Sequence, residues 1–275
     1  MPEGNFITNT NPKPKPRVAA SSYLNTAPLI WSFRKGSRTN DVELVEAVPA
    51  RCAELLAQVR VDVALVPAIE YQRIPGLAVV PRVCIGSREK VRSVILVSKL
   101  DELKDIRAIA LDESSRTSAT LIRIIFREFL GFEPQWRSAP PDLKQMLADN
   151  DAALMIGDPA MTLPRQGLKI FDLASLWREH TSLGFVFAMW MIGPNASAGA
   201  RAIDFAAACQ EGLARTDEIV DFYQPLLGLP RDELQSYLKE NISFLLDDEL
   251  RAGLNLFYEL AHKHGLIPAL RRLNF

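Results

Sequence analysis

Short apolar runs alternate with helical segments from Arg17 onward, and the alternation starts a second time after two extended segments. This restart constrains the fold more than any other feature. Residues 17–22 read as a first strand and 25–35 as a helix begun by Asn25 or Thr26. Pro28 falls in its first turn, where a missing N–H costs nothing. A second strand over 42–48, a short helix over 49–58 and a third strand over 61–66, closed by Pro67, complete the first unit. Strand–helix–strand at this spacing implies right-handed crossovers and a parallel sheet. Residues 78–85 and 91–98 are extended. The pattern then resumes with strands over 107–111, 135–138 and 152–156 and helices over 118–130 and 142–148. A shorter turn of the same kind covers 170–180, and a long apolar strand covers 185–192. Everything after Gly193 reads as helix, over 198–215, 217–223, 231–239 and 247–264.

Two such units with a helical tail predict an α/β protein of two lobes, a type II periplasmic-binding-protein-like architecture with a central ligand cleft. The expected lobes are 17–90 plus 190–275, and 91–189, with 1–16 a disordered tail rich in proline. A length of 275 residues allows one large or two ordinary domains. Ligands of open α/β sheets sit beyond the carboxyl ends of the strands. Those ends are 21–25, 66–70, 112–118 and 157–158.

The segment D-E-S-S-R-T-S, 112–118, lies where a strand turns into a helix whose apolar face is Leu121, Ile124, Ile125 and Phe129. A helix start offers free N–H groups and a partial positive charge. Ser114, Ser115, Thr117 and Ser118 add hydroxyl donors, and Arg116 adds a fork that matches a carboxylate or phosphate. Ordinary N-capping by Ser114 or Ser115 is the plainer alternative, but four hydroxyls in five positions exceed what a cap needs. After the first strand, Ser22, Tyr23, Asn25 and Thr26 suit a polar uncharged group, or a helix cap with a packed tyrosine. Ser93, within V-R-S-V-I-L-V, faces either the cleft or solvent. Gly157 permits close backbone approach, and Asp158 suits a helix cap followed by Pro159. Residues 181–185 are a further candidate lining. His180 and the tryptophans Trp136, Trp177 and Trp190 read as packing residues.

A net charge of −1 gives no long-range attraction for nucleic acid or an anionic membrane. Cys52, Cys84 and Cys209 lack C-x-x-C spacing, so reduced thiols and a cytoplasmic address are expected. His180, His262 and His264 form no metal-ligand pattern with them. No run reaches transmembrane length, and the first residues carry no apolar core of an export signal. There is no P-loop, G-x-G-x-x-G or G-x-S-x-G. On residue chemistry alone the chain is a two-lobed α/β protein that binds a small anion.

Six segments in order nonetheless form a recognisable set. They are S-Y-L-N-T-x-P-L from Ser22, D-V-A-L-V-P from Asp62, V-R-S-V-I-L-V-S-K from Val91, S-S-R-T-S from Ser114, A-L-M-I-G-D-x-A from Ala153 and F-V-F-A-M-W from Phe185. Together they resemble the menaquinone-biosynthesis chorismate dehydratases of the futalosine route, over about residues 17–268. The sister 1,4-dihydroxy-6-naphthoate synthases share the fold but differ at the first motif. The chain departs from the usual pattern at Ser182, Gly184, Arg88-Glu89-Lys90 and Phe244, expected to be loop and lining positions.

The resemblance implies that chorismate loses water to give 3-[(1-carboxyvinyl)oxy]benzoate. The C4 hydroxyl and the C3 proton depart and the ring becomes aromatic, so no cofactor or metal is needed. Residues 114–118 then suit a carboxylate, while Asn25 and Ser93 suit the leaving hydroxyl. No protein base stands out, and the substrate's own enolpyruvyl carboxylate is the expected proton acceptor. The competing readings are a solute-binding protein for an organic anion, a ligand-sensing regulator and the sister synthase.

Overall fold

The computed structural model describes residues 14–164 and 166–273. The expected tail over 1–16 therefore lies outside the described residues, apart from Pro14, Lys15 and Pro16. Eleven strands form two sheets among the described residues. Strands β1 (Arg17–Ala20), β2 (Glu43–Glu46), β3 (Val63–Pro67) and β4 (Ala78–Ser87) come first; β5 (Val94–Ser98), β6 (Ala108–Asp112), β7 (Gln135–Ala139), β8 (Ala152–Ile156) and β9 (Lys169–Asp172) follow. The last two are β10 (Phe185–Ile192) and β11 (Ser243–Leu245). The first sheet runs β11-β4-β10-β3-β1-β2 and the second β7-β6-β8-β5-β9. Neighbours β1, β2 and β3 pair in parallel, as do β6, β7 and β8, which is what their helical crossovers require.

The helices joining them are α1 (Ala27–Lys35), α2 (Pro49–Ala57), α3 (Glu70–Arg73), α4 (Thr117–Ile124), α5 (Leu143–Ala148), α6 (Gly157–Thr162) and α7 (Leu173–Thr181). The C-terminal part holds α8 (Ala198–Arg201), α9 (Phe205–Ala214), α10 (Thr216–Leu227), α11 (Arg231–Ser236) and α12 (Asp248–Lys263). Helices α4 and α11 each continue into a π-helical turn, over Ile125–Leu130 and Tyr237–Asn241. The expectation that only helix follows Gly193 is corrected at β11, which pairs antiparallel with β4. Its three residues are too few to show a period of two. The expected helix over 198–215 breaks at Asp204, whose carboxylate caps α9 by accepting from the Ala207 N–H at 2.9 Å.

Strand β10 pairs with both β3 and β4, antiparallel, so the expected boundary at 189/190 falls inside a first-sheet strand. We propose instead that the chain crosses between lobes at 88–93 and 173–184. The first crossing turns at Arg92, a non-glycine residue with φ +64. The Asp172 carboxylate holds that turn by accepting the N–H groups of Val91 at 3.1 Å and Arg92 at 2.7 Å. Helix α9 packs on α1 and β4, while α12 touches both β10 and α4. The close α1–α9 approach requires Gly212, where a Cβ would meet the Pro28 carbonyl oxygen at 2.0 Å. Trp31, Trp190 and Phe205 are fully buried in this core. Each such side chain contributes about 1.5–3 kcal/mol of burial.

Candidate active site

The carboxyl ends of β1, β3, β6 and β8 converge on one cavity with an empty volume of ≈ 520 Å³, including its mouth. Leu65, Pro67, Ile85, Val94 and Phe187 form its apolar walls. Polar groups enter from two places: Ser21, Tyr23, Asn25 and Thr26 after β1, and Ser115, Arg116, Thr117 and Ser118 at the start of α4. A mostly apolar cleft with a few convergent donors is the usual form of a small-molecule site.

The loop after β1 is fixed from three sides. The Ser21 and Thr26 hydroxyls are 2.7 Å apart. The Tyr223 phenol, from α10, donates to the Ser22 carbonyl at 2.6 Å. The Leu24 N–H donates to the Asp158 carboxylate at 2.9 Å, across the cleft. Thr26 Oγ1 lies 3.4 Å from Asn25 Oδ1 as its donor, which leaves the Asn25 NH₂ free to point elsewhere. The Tyr23 ring lies against Gly157, whose φ is +68; a Cβ there would meet the ring at 2.6 Å. Two independent constraints thus demand glycine at this position.

At α4 no side chain caps the first turn, so capping by Ser114 or Ser115 does not hold. Ser114 Oγ instead donates to Asp112 at 2.6 Å, and Ser114 does not line the cavity. Thr117 Oγ1 accepts the Ile69 N–H at 3.2 Å and keeps its own hydrogen to donate. Ser115 and Ser118 are buried and line the cavity. Arg116 also lines it, but its guanidinium reaches Glu70 at 3.1 Å and Glu54 at 3.2 Å. Its fork is therefore spent on protein carboxylates, which leaves hydroxyls and N–H groups as the donors for an anion.

Other expected positions move. Ser22 is exposed and outside the lining. Asp158 does not cap α6, which starts at Gly157 with no side-chain cap. Burial raises its pKa from 3.8 to about 6, against the lowering effect of the Leu24 N–H. Ser93 is fully buried and does not line the cavity; its hydroxyl accepts a bond from Tyr237 at 2.7 Å. Residues 181–185 also lie outside, as do the departures Arg88, Glu89, Lys90, Ser182, Gly184 and Phe244. Ser182 sits instead at the left-handed end of α7, with φ +60, and Phe244 is buried in β11. His180 stacks on Phe129, with ring centroids 4.4 Å apart. Tyr237, Tyr223, Glu54 and Glu70 were not visible as site residues. They carry no local motif, and only the tertiary fold brings them against Ser93, Ser22 and Arg116. Among the described residues no cluster of His, Cys, Asp and Glu could hold a metal, and no helix is long and apolar enough to cross a membrane.

Two lobes closing on a cleft at the strand ends define the class: a periplasmic-binding-protein-like fold. Solved structures agree. A structural-genomics target from Archaeoglobus fulgidus matches with TM-score 0.76 and 20% identity, covering 92% of this chain and 98% of that one. The periplasmic aliphatic sulphonate binding protein of Escherichia coli matches with TM-score 0.62 and 16% identity, over 93% and 89%. At this identity they speak for the fold alone. Sequence goes further. The model of a menaquinone biosynthesis family matches residues 16–263, and the chain belongs to that family. A curated chorismate dehydratase from Thermus thermophilus is 30% identical over 259 residues, covering 86% of this chain and 92% of that protein.

Proposed function

We propose that this chain is a chorismate dehydratase, a hydro-lyase of the futalosine route that works in the cytoplasm. The observation that carries the reading is the 30% identity to the Thermus enzyme over nearly the whole of both chains. The cavity's chemistry supports it. Chorismate carries two carboxylates, an ether and a hydroxyl on a cyclohexadiene ring. The apolar walls suit the ring, and the uncapped start of α4 with Ser115, Thr117 and Ser118 suits a carboxylate. Asn25, at the cavity, is the donor proposed for the C4 oxygen. As the C4–O bond breaks, negative charge gathers on that oxygen. A fixed amide donor therefore stabilises the transition state more than the bound substrate. The enolpyruvyl carboxylate takes the C3 proton and passes it to the departing C4 oxygen, so the C3–H and C4–O bonds break, one water leaves, the carboxylate is regenerated and the ring becomes aromatic. The protein supplies orientation and a dry cleft.

Incubating the purified chain with chorismate and following mass tests the reading. The expected product is lighter by one water. Chorismate recovered intact would remove the dehydratase assignment and return the chain to an anion-binding role or to the sister synthase.

A further inference from the structure

We propose that Tyr237 is a positioning residue of this site, anchored on the buried Ser93 hydroxyl and holding the Asn25 amide, which lines the cavity, toward the leaving oxygen. The inference rests on the dehydratase reading. Three distant segments meet here: the loop after β1, the turn before β5 and the π-helical turn after α11. The Tyr237 phenol is fully buried and donates to Ser93 Oγ at 2.7 Å, across 144 residues of sequence. The Asn25 side chain lies close enough to the same phenol to lower its pKa as a donor does, against the larger effect of burial. Thr26 Oγ1 donates to Asn25 Oδ1 at 3.4 Å, which leaves the amide hydrogens of Asn25 to donate elsewhere.

The directions of these bonds form a consistent row. Asn25 donates one hydrogen to the phenol oxygen and keeps the other for the cavity. The phenol donates to Ser93, whose own hydrogen is then free to donate onward. Burial pushes the phenol's pKa well above its ordinary value, so it remains a neutral donor throughout. Tyr237 therefore transfers no proton and acts by fixing two other groups. Phenylalanine would fill the same space. What the hydroxyl adds is orientation, or else only a partner for a buried serine.

Those two roles predict different kinetics. Tyr237→Phe should lower kcat by roughly tenfold or more, with KM within about twofold of the unaltered chain. Ser93→Ala should lower kcat as well. The double variant should lose no more than the worse single variant, because the two groups act as one unit. A Tyr237→Phe chain with unchanged kcat, whatever its melting temperature, overturns the proposal, and so do losses that multiply in the double variant. If Tyr237→Phe does not fold, 3-fluorotyrosine at 237 keeps the hydroxyl and alters its donor strength. Its kcat should then shift about twofold or more at constant KM, and an unchanged kcat overturns the proposal. Turnover of chorismate by the unaltered chain is the control. Its absence overturns the dehydratase reading and this inference together, whereas its presence with an unaffected Tyr237→Phe overturns the inference alone.

Discussion

At the residue scale, Asn25 and Gly157 carry the sharpest consequences. Asn25 lines the cavity, and its amide oxygen accepts a bond from Thr26 at 3.4 Å. Asn25→Ala should lower kcat about 100-fold, the cost of removing a donor to developing charge, while the melting temperature moves little. A variant that is less stable but nearly as fast would reduce Asn25 to a loop residue. Gly157 stands in a left-handed conformation beneath the Tyr23 ring. Gly157→Ala meets about 1–2 kcal/mol of backbone strain and must also push the ring away. The expected result is a lower melting temperature and a raised KM, since Tyr23 lines the cavity; a wild-type melt and KM would show that the loop yields freely. The sequence signalled both residues, Gly157 as a point of close approach and Asn25 as a polar group after a strand. It could not signal Tyr237, because a tyrosine in a helical tail has no local mark of function.

At the element scale, the start of α4 is the feature best suited to an anion. Its first turn is uncapped, and buried hydroxyls surround it. A hydrogen bond to a charged group contributes about 1.5–3 kcal/mol. Ser115→Ala or Ser118→Ala should therefore raise the dissociation constant for chorismate roughly tenfold or more, as calorimetry would read it. Equal affinity in both variants would limit this helix start to a packing role. The S-S-R-T-S motif was legible as a cluster of hydroxyls at a helix start. The fate of its arginine was not, because Glu54 and Glu70 approach Arg116 from helices 62 and 46 residues away in sequence. The π-helical continuations and β11 were equally hidden. Each is decided by what the segment packs against rather than by its periodicity.

At the scale of the whole molecule, the two lobes are tied at both sides of the cleft. On one side Arg116 bridges to Glu70, whose side chain is only 2% exposed and also binds Arg73 at 3.2 Å. Glu70 is buried but Arg116 keeps 29% exposure, so removing the carboxylate costs less than the about 3–5 kcal/mol of a fully buried pair and more than an exposed pair such as Arg51–Glu54 contributes. Glu70→Gln should lower the melting temperature, enlarge the radius of gyration in X-ray scattering and raise KM. An unchanged radius would assign closure to α12, which touches both lobes. On the other side Asp158 holds Leu24. Its carboxyl faces Tyr23, Tyr223 and Tyr237, which stay neutral well above its range. With a folded pKa of about 6 against an ordinary 3.8, the native state keeps a proton that the unfolded chain loses between those values. Stability from this group is fully present below pH 3.8. It falls by up to about 1.4 kcal/mol per unit as pH rises through the window, and is level above it. Asp158→Asn should flatten that part of the curve of melting temperature against pH. A curve that keeps its slope would place the titration on Asp112 or Asp172, whose pKa values burial also raises.

The sequence by itself determined the alternation of strands and helices, the restart that makes two sheets, and the strand ends on which the cavity opens. These follow from local periodicity and from the handedness of crossovers, which a linear pattern records. The tertiary structure alone decided which polar groups face the cavity. The Ser93 and Asp158 side chains bond Tyr237 and the Leu24 N–H, and Arg116 pairs across the cleft. Such choices depend on partners brought from 46 to 144 residues away. A buried polar group must find its bond wherever the fold supplies one, and no local pattern encodes that address.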